Sequence, residues 1–369
     1  LFLNAFTLIQ TSILRKRMEF KVLALANIFG NIAGTLLGIG LALYGAGVWS
    51  LVGRMLVVSF FTAVWLWRSS DWKPGFIFSF KSFKELFSFG SFMLLASVVI
   101  SVSNNVQTLI IGRLFSSGTL GYYTQAKQLS DVPALSISSI IGQVAYPMFA
   151  NIKEDKEAVG NKLLKWISVL AYLNSALMVL LIILARPLIL FLYGERWSAS
   201  TESFQILCFG GLFLALQDIN YYVIAAFGAS RKLFVNNFYQ TVVGIFLKIT
   251  GGWIGGINGL LWAMVLCTFI FYCVYAYLSS KLCNMSLFAQ LWRVIKQILL
   301  AAVSGVLIYC LLKFVFPIDS ITSVYVIQII LISIFYSIVF LFFSFISKSK
   351  ELYYLAGLVQ KKFSVYRKN

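Results

Sequence analysis

The sequence contains no histidine among its 369 residues. That excludes an imidazole base, an imidazole proton relay and the commonest metal ligand. Charge is scarce as well. Only 11% of the residues are Asp, Glu, Lys or Arg, where a soluble domain carries about 25%. A chain so poor in charge cannot cover a water-facing surface, which excludes a cytosolic enzyme, a secreted domain and a disordered segment. Acidic residues are the rarer sign, 12 against 30 Lys and Arg. The five cysteines (Cys208, Cys267, Cys273, Cys283 and Cys310) form no Cys-x-x-Cys pair. They read as small apolar residues in or beside hydrophobic segments. No loop is long enough to be a domain, and no Gly-x-x-x-x-Gly-Lys phosphate loop is present. An ATP-driven engine within the chain is thereby excluded, and no cofactor is implied.

What is present is apolar. Hydrophobic residues make up 60% of the chain, and the mean hydropathy is +0.89. A helix needs about 20 apolar residues to cross a bilayer. The hydrophobic runs predict ten spans, at 22–44, 47–67, 86–112, 121–149, 166–185, 203–227, 234–254, 257–279, 294–315 and 325–346. The third and fourth are long and spotted with polar residues, and Pro133 inside the fourth predicts a tilt or kink. The sequence begins with Leu1 rather than Met, and its first 14 residues read as the end of a hydrophobic helix with no signal peptide. The expectation is a chain lacking the start of its first helical lobe.

The basic residues fall on alternate loops. Segments 15–21, 68–85, 151–165, 228–233 and 280–296 and the tail after 347 hold 23 of the 30 Lys and Arg. The turns at 45–46 and 255–256 and the loop at 316–324 hold none. Positive residues favour the cytoplasmic side, so this alternation predicts a cytoplasmic C-terminus and explains most of the net charge of +18. Nucleic-acid binding is not expected.

Two stretches repeat one another. Arg15-Lys16-Arg17 is followed by Gly30, Gly34, Gly38 and Gly40 and then by Gly45-Ala46-Gly47-Val48-Trp49. Arg231-Lys232 is followed by Gly244, Gly251 and Gly252 and then by Gly255-Gly256-Ile257 and Trp262. Internal repeats of this kind mark two-lobed transporter folds, and small residues let helices pack closely. The reading is 1–67 as the end of a first lobe, 68–85 as a cytoplasmic linker and 86–279 as a six-helix second lobe. Two extra helices over 280–346 and a basic tail over 347–369 follow.

Several motifs carry a family resemblance. They are Ile13-Leu14-Arg15-Lys16-Arg17-Met18-Glu19-Phe20-Lys21, Ser103-Asn104-Asn105-Val106-Gln107-Thr108 running on to Gly112-Arg113-Leu114, and Gly118-Thr119-Leu120-Gly121-Tyr122-Tyr123. Pro147-Met148-Phe149-Ala150 and Leu192-Tyr193-Gly194-Glu195-Arg196-Trp197 add to them. The chain resembles the polysaccharide transporters and lipid-linked oligosaccharide (Wzx-like) flippases of the multidrug/oligosaccharidyl-lipid/polysaccharide exporter superfamily. The resemblance implies an all-α polytopic membrane protein, a two-lobe MATE-like helical bundle that here lacks part of the first lobe. It implies translocation of a polyprenyl-diphosphate-linked oligosaccharide across the bacterial inner membrane, without covalent chemistry. The expected partners are that lipid-linked oligosaccharide, membrane lipids, and the polysaccharide polymerase and chain-length machinery. Family members often carry an acidic residue where this chain has Gln107.

Charge inside a membrane is costly and points to function. Arg54, Arg113, Lys127 and Lys248 are the basic candidates, placed to line a cavity and offset a phosphate. The bland alternative is snorkelling, or for Lys127 an intrahelical pair with Asp131 four residues on. Asn104, Asn105 and Gln107 suit sugar hydroxyls or polar contacts between helices. Asp131 and Asp218 are the candidate coupling carboxylates. Two rivals remain, a cation-coupled multidrug exporter of the same superfamily and a membrane-embedded glycosyltransferase or polymerase. The first should show an acidic pocket and the second a long external loop.

Overall fold

The computed structural model describes residues 7–17, 19–70, 79–81, 83–84, 87, 105–314, 325–355 and 357. Among these the regular structure is helical throughout. The chain divides into two compact units, Leu1–Leu94 and Leu95–Asn369.

The first unit holds α1 (Leu8–Lys16), α2 (Phe20–Leu43) and α3 (Trp49–Ser69). Helices α2 and α3 form an antiparallel hairpin. Gly30 lies against Thr62, Gly34 against Val58 and Gly38 beneath Arg54. A side chain at Gly34 would run into both Val58 and the Arg54 carbonyl, so glycine here sets the distance between the two backbones. The hairpin reverses at Gly45 and Gly47, with φ of 83° and 54°, a region that costs other residues but not glycine.

The second unit holds α4 (described over 105–114), α5 (Ser117–Ala150), α6 (Lys156–Tyr193), α7 (Ser200–Ala226), α8 (Ser230–Leu282), α9 (Leu287–Phe314) and α10 (Tyr325–Ile346), with a short helical segment at 350–355. Helix α5 runs through both Pro133 and Pro147 without a break. Asp155 caps α6, accepting from the Ala158 N–H at 2.9 Å. That cap starts the helix ten residues before its apolar run, on the polar stretch that carries Lys162 and Lys165.

Helix α8 is itself a hairpin. Its halves, 230–254 and 257–282, reverse at Gly255 and Gly256, whose backbones leave the helical region. Gly251 packs on Gly259, Gly244 faces Cys267, and the Tyr275 hydroxyl donates to Asn237 Oδ1 at 2.6 Å. The two sequence repeats therefore fold alike, as glycine-seamed hairpins with a glycine reversal.

Helix α7 packs against α5, α6 and α8, and α6 also bears α9 and α10. The largest core cluster joins Ile141 and Phe149 of α5, Leu163 and Ile167 of α6, Leu216 and Val223 of α7 and Tyr272 of α8. Outward surfaces remain apolar, with Phe246, Leu299 and Phe342 exposed. Lipid offers no hydrogen bonds, so polar groups must be satisfied between helices. Asn174 Nδ2 donates to the Gly211 and Leu212 carbonyls at 2.9 and 3.0 Å. Ser175 Oγ donates to the Gln297 carbonyl at 3.2 Å, and the Tyr172 hydroxyl to Ser344 Oγ at 3.0 Å.

Seven helices among the described residues are long and apolar enough to span a membrane: α2, α3, α6, α7, α8, α9 and α10. Helix α8 has the length of two crossings. Helix α5, which carries Lys127 and Asp131, is not among the seven. The chain is a multi-pass membrane protein.

Candidate functional site

One face of α5 is polar. Its helix starts where Ser116 Oγ accepts from the Thr119 N–H at 3.2 Å. From there Thr124, Lys127, Gln128, Asp131 and Leu135 recur every three or four residues and so share a side of the helix. Together with Tyr123 and Val132, and with Asn105 and Thr108 from α4, they line a cleft of 420 Å³ in the second unit.

Lys127 Nζ lies 2.9 and 3.1 Å from the two Asp131 carboxylate oxygens, and both side chains are about one-third exposed. Behind the cleft, buried Gln107 accepts through Oε1 from Lys248 Nζ at 3.2 Å. Lys248 reaches this position from the first half of α8, and Gly244, one turn away, leaves room beside it. Its ammonium is within electrostatic range of Lys127. A carboxylate offsets Lys127, whereas Lys248 meets a neutral amide. The described polar groups of the site thus comprise two ammonium groups, one carboxylate, amides and hydroxyls, against an apolar floor of Val132 and Leu135. That inventory suits a hydroxyl-rich anion.

Asp218 occupies a second polar patch. It lies on α7 facing Ser138 of α5, which is two helical turns beyond Asp131. Nearby, Gln217 donates to Gln240 Oε1 at 3.3 Å, and Tyr221 packs edge-on against Tyr222 and Tyr275.

The structure thus brings Asn105, Gln107, Lys127, Asp131 and Lys248 together. Arg113 is exposed at the end of α4. Arg54 belongs to the first unit, where it is exposed and its stem covers Gly38. Asn104 lies outside the described residues. Three cleft residues, Thr108, Thr124 and Gln128, carry no charge to draw attention in the sequence. Counting back three residues from Lys127 finds Thr124, and counting back three from Asp131 finds Gln128. Tyr122 packs edge-on against Trp197, with ring centroids 5.9 Å apart, and is an anchor rather than a cleft residue.

Long apolar helices packed around a polar cleft define the class: a multi-pass membrane protein of helical-bundle fold. A solved structure titled lipid II flippase MurJ, inward closed conformation, has the same fold. Its TM-score is 0.71 at 19% identity, over 94% of this chain and 71% of that one. The chain belongs to the family described as polysaccharide biosynthesis protein, whose family model matches residues 1–202. Among its relatives is the teichuronic acid biosynthesis protein TuaB of Bacillus subtilis, 24% identical over 80% of this chain and 62% of TuaB. Others are the lipopolysaccharide biosynthesis protein WzxC of Escherichia coli and the succinoglycan biosynthesis transport protein ExoT of Rhizobium meliloti. Each is 26% identical over 51% of this chain and 38% of its own length. The chain thus spans between about two-fifths and three-fifths of these relatives.

Proposed function

We propose that the protein of which this chain is part, or the whole, is a flippase. It moves a polyprenyl-diphosphate-linked oligosaccharide from the cytoplasmic to the external leaflet of the bacterial inner membrane. The reading rests above all on the cleft. Lys127 and Lys248 supply positive charge where a diphosphate must cross hydrocarbon. Asn105, Thr108 and Thr124 supply donors and acceptors for sugar hydroxyls. The names of the relatives and the fold of the lipid II flippase support the same substrate class. Alternating access exposes such a site to each side in turn, and no bond is made or broken, so the reading is a non-enzyme. The charge alternation along the loops supports a cytoplasmic C-terminus. Polymerase and chain-length proteins would then receive the product on the outer side. A cation-coupled drug exporter would want an acidic site, whereas two ammonium groups face one carboxylate here.

Complementation tests the reading. The gene carrying this sequence is expressed in a strain whose own surface-polysaccharide flippase is deleted and whose cognate sugar pathway is present. The parent restores surface polysaccharide. Lys127→Ala and Lys248→Ala lose it at equal membrane levels, and Arg113→Ala keeps it. Failure of the parent with its sugar supplied would overturn the transporter assignment.

A further inference from the structure

A second cluster of cations lies far from the cleft, at the basic end of the second unit, and the proposed transport makes no use of it. Three elements build it. From α9, Arg293 Nη1 donates to Ser168 Oγ of α6 at 3.4 Å. One turn before Ser168 on α6, the Lys165 ammonium sits 3.9 Å from the centroid of the Tyr354 ring, in the 350–355 segment. One turn beyond Arg293 on α9 is Lys296. Lys165, Arg293 and Lys296 are all exposed. The acid on the 350–355 segment, Glu351, accepts from Ser349 Oγ at 2.9 Å.

The surroundings decide what such a cluster can hold. The outward face of α9 beside it is apolar and aromatic. Phe288 and Trp292 stack with centroids 6.2 Å apart, and Ile295 and Leu299 are exposed. Trp and Phe in this position lie at the boundary between lipid tails and headgroups. Lys296 lies four residues beyond Trp292, about 6 Å along the axis at 1.5 Å per residue. A cation at that depth in an apolar face favours an anion beside it. The Ser168 hydrogen bond and the Tyr354 ring hold Arg293 and Lys165 in place rather than leaving them to extend into water. Basic pockets between membrane helices take lipid phosphates in this way.

We infer that Lys165, Arg293 and Lys296 form a binding site for the phosphate of an anionic phospholipid. The acyl chains would lie along the exposed face of α9 past Ile295 and Leu299. The inference is independent of the flippase reading, because it concerns a resident membrane lipid rather than the cargo.

Native mass spectrometry of the delipidated full chain in neutral detergent tests it. The probes are dioleoyl-phosphatidylglycerol, phosphatidylcholine with the same chains, and glycerol phosphate. Phosphatidylglycerol should be retained saturably, phosphatidylcholine more weakly, and glycerol phosphate not at all. Arg293→Gln and Lys296→Gln should each weaken phosphatidylglycerol roughly fivefold, the worth of one basic residue near an anionic headgroup. Arg231→Gln, a basic residue in a different turn, should bind as the parent does. A melting midpoint without lipid that matches the parent shows that each variant is folded, and the two variants serve as independent arms. Equal retention of phosphatidylcholine, parent-like binding by both site variants, or an equal loss in Arg231→Gln would overturn the site. Displacement of the lipid by glycerol phosphate would overturn the lipid and leave a free-phosphate site instead.

Discussion

Two polar regions sit inside the same apolar unit, and they are built on opposite plans. In one, Asn220 Oδ1 accepts from Ser279 Oγ at 2.5 Å and from Gln290 Nε2 at 2.9 Å, while Ser280 Oγ donates to Gln290 Oε1 at 3.2 Å. Every member is buried and none is charged. The network ties α7, α8 and α9 together and is closed to any visitor. In the other, Lys127 and Asp131 line a cleft with side chains about one-third exposed, and Lys248 and Gln107 meet behind them, so that charge of both signs is present. Polar residues in a membrane bundle are therefore not a functional signal on their own. Those whose hydrogen bonds close on one another hold helices together. Those that keep charge and access are available to a substrate.

Substitutions should separate the two plans. The largest expected effect is on transport. Lys248→Ala and Lys127→Ala each remove a charged hydrogen-bond donor, worth about 1.5–3 kcal/mol, or roughly ten- to hundredfold in rate. Melting in detergent should move little. A loss of folded protein matching the loss of transport would assign these lysines to the closed plan. Next comes Gln290→Leu, which takes the acceptor from the Ser280 hydroxyl and one of the two donors from Asn220. It should cost about 1–3 kcal/mol of stability and lower the melting midpoint, with transport per folded molecule unchanged. Asp131→Asn is smaller in stability, within about 1 kcal/mol, because the ion pair is partly exposed. Freed of its partner, Lys127 should hold the anionic substrate more tightly, so half-maximal transport occurs at lower substrate. Complete loss of transport would instead make Asp131 a coupling group. Ser279→Ala should be smallest, about 0.6 kcal/mol, since Gln290 still donates to Asn220.

The sequence made eight of the ten expected spans legible, α8 holding two of them, because lipid imposes a length and a composition on every crossing; the expected span at 121–149 is α5, which is not among the apolar helices, and most of the one at 86–112 lies outside the described residues. The repeat was legible through its glycines, whose spacing foretold both hairpins. Asp155 shows what hydropathy misses: a polar cap extends α6 well before its apolar run begins. Within the site, the Lys127–Asp131 pair could be read from a four-residue spacing, because it is local. The Lys248–Gln107 contact joins residues 141 positions apart. Only the packing of α8 against the rest of the unit creates it, and no spacing rule encodes that. Arg113 and Arg54 looked equivalent to Lys248 as isolated charges in apolar runs, but Arg113 is exposed at the end of α4 and Arg54 belongs to the first unit. Charge selected the candidates without saying which helix face would turn inward.

The hairpin of α8 also bears on how the protein is made. Its reversal is two glycines with no charged residue at the tip, which favours insertion of both arms as a single element. Lys248 enters with them, close to that tip. Its acceptor, Gln107, is synthesised 141 residues earlier and has left the ribosome before the lysine emerges. Chain order thus shortens the time an ammonium spends in lipid without a partner. A circular permutant that places Gln107 after Lys248 would lengthen that exposure and should insert less efficiently.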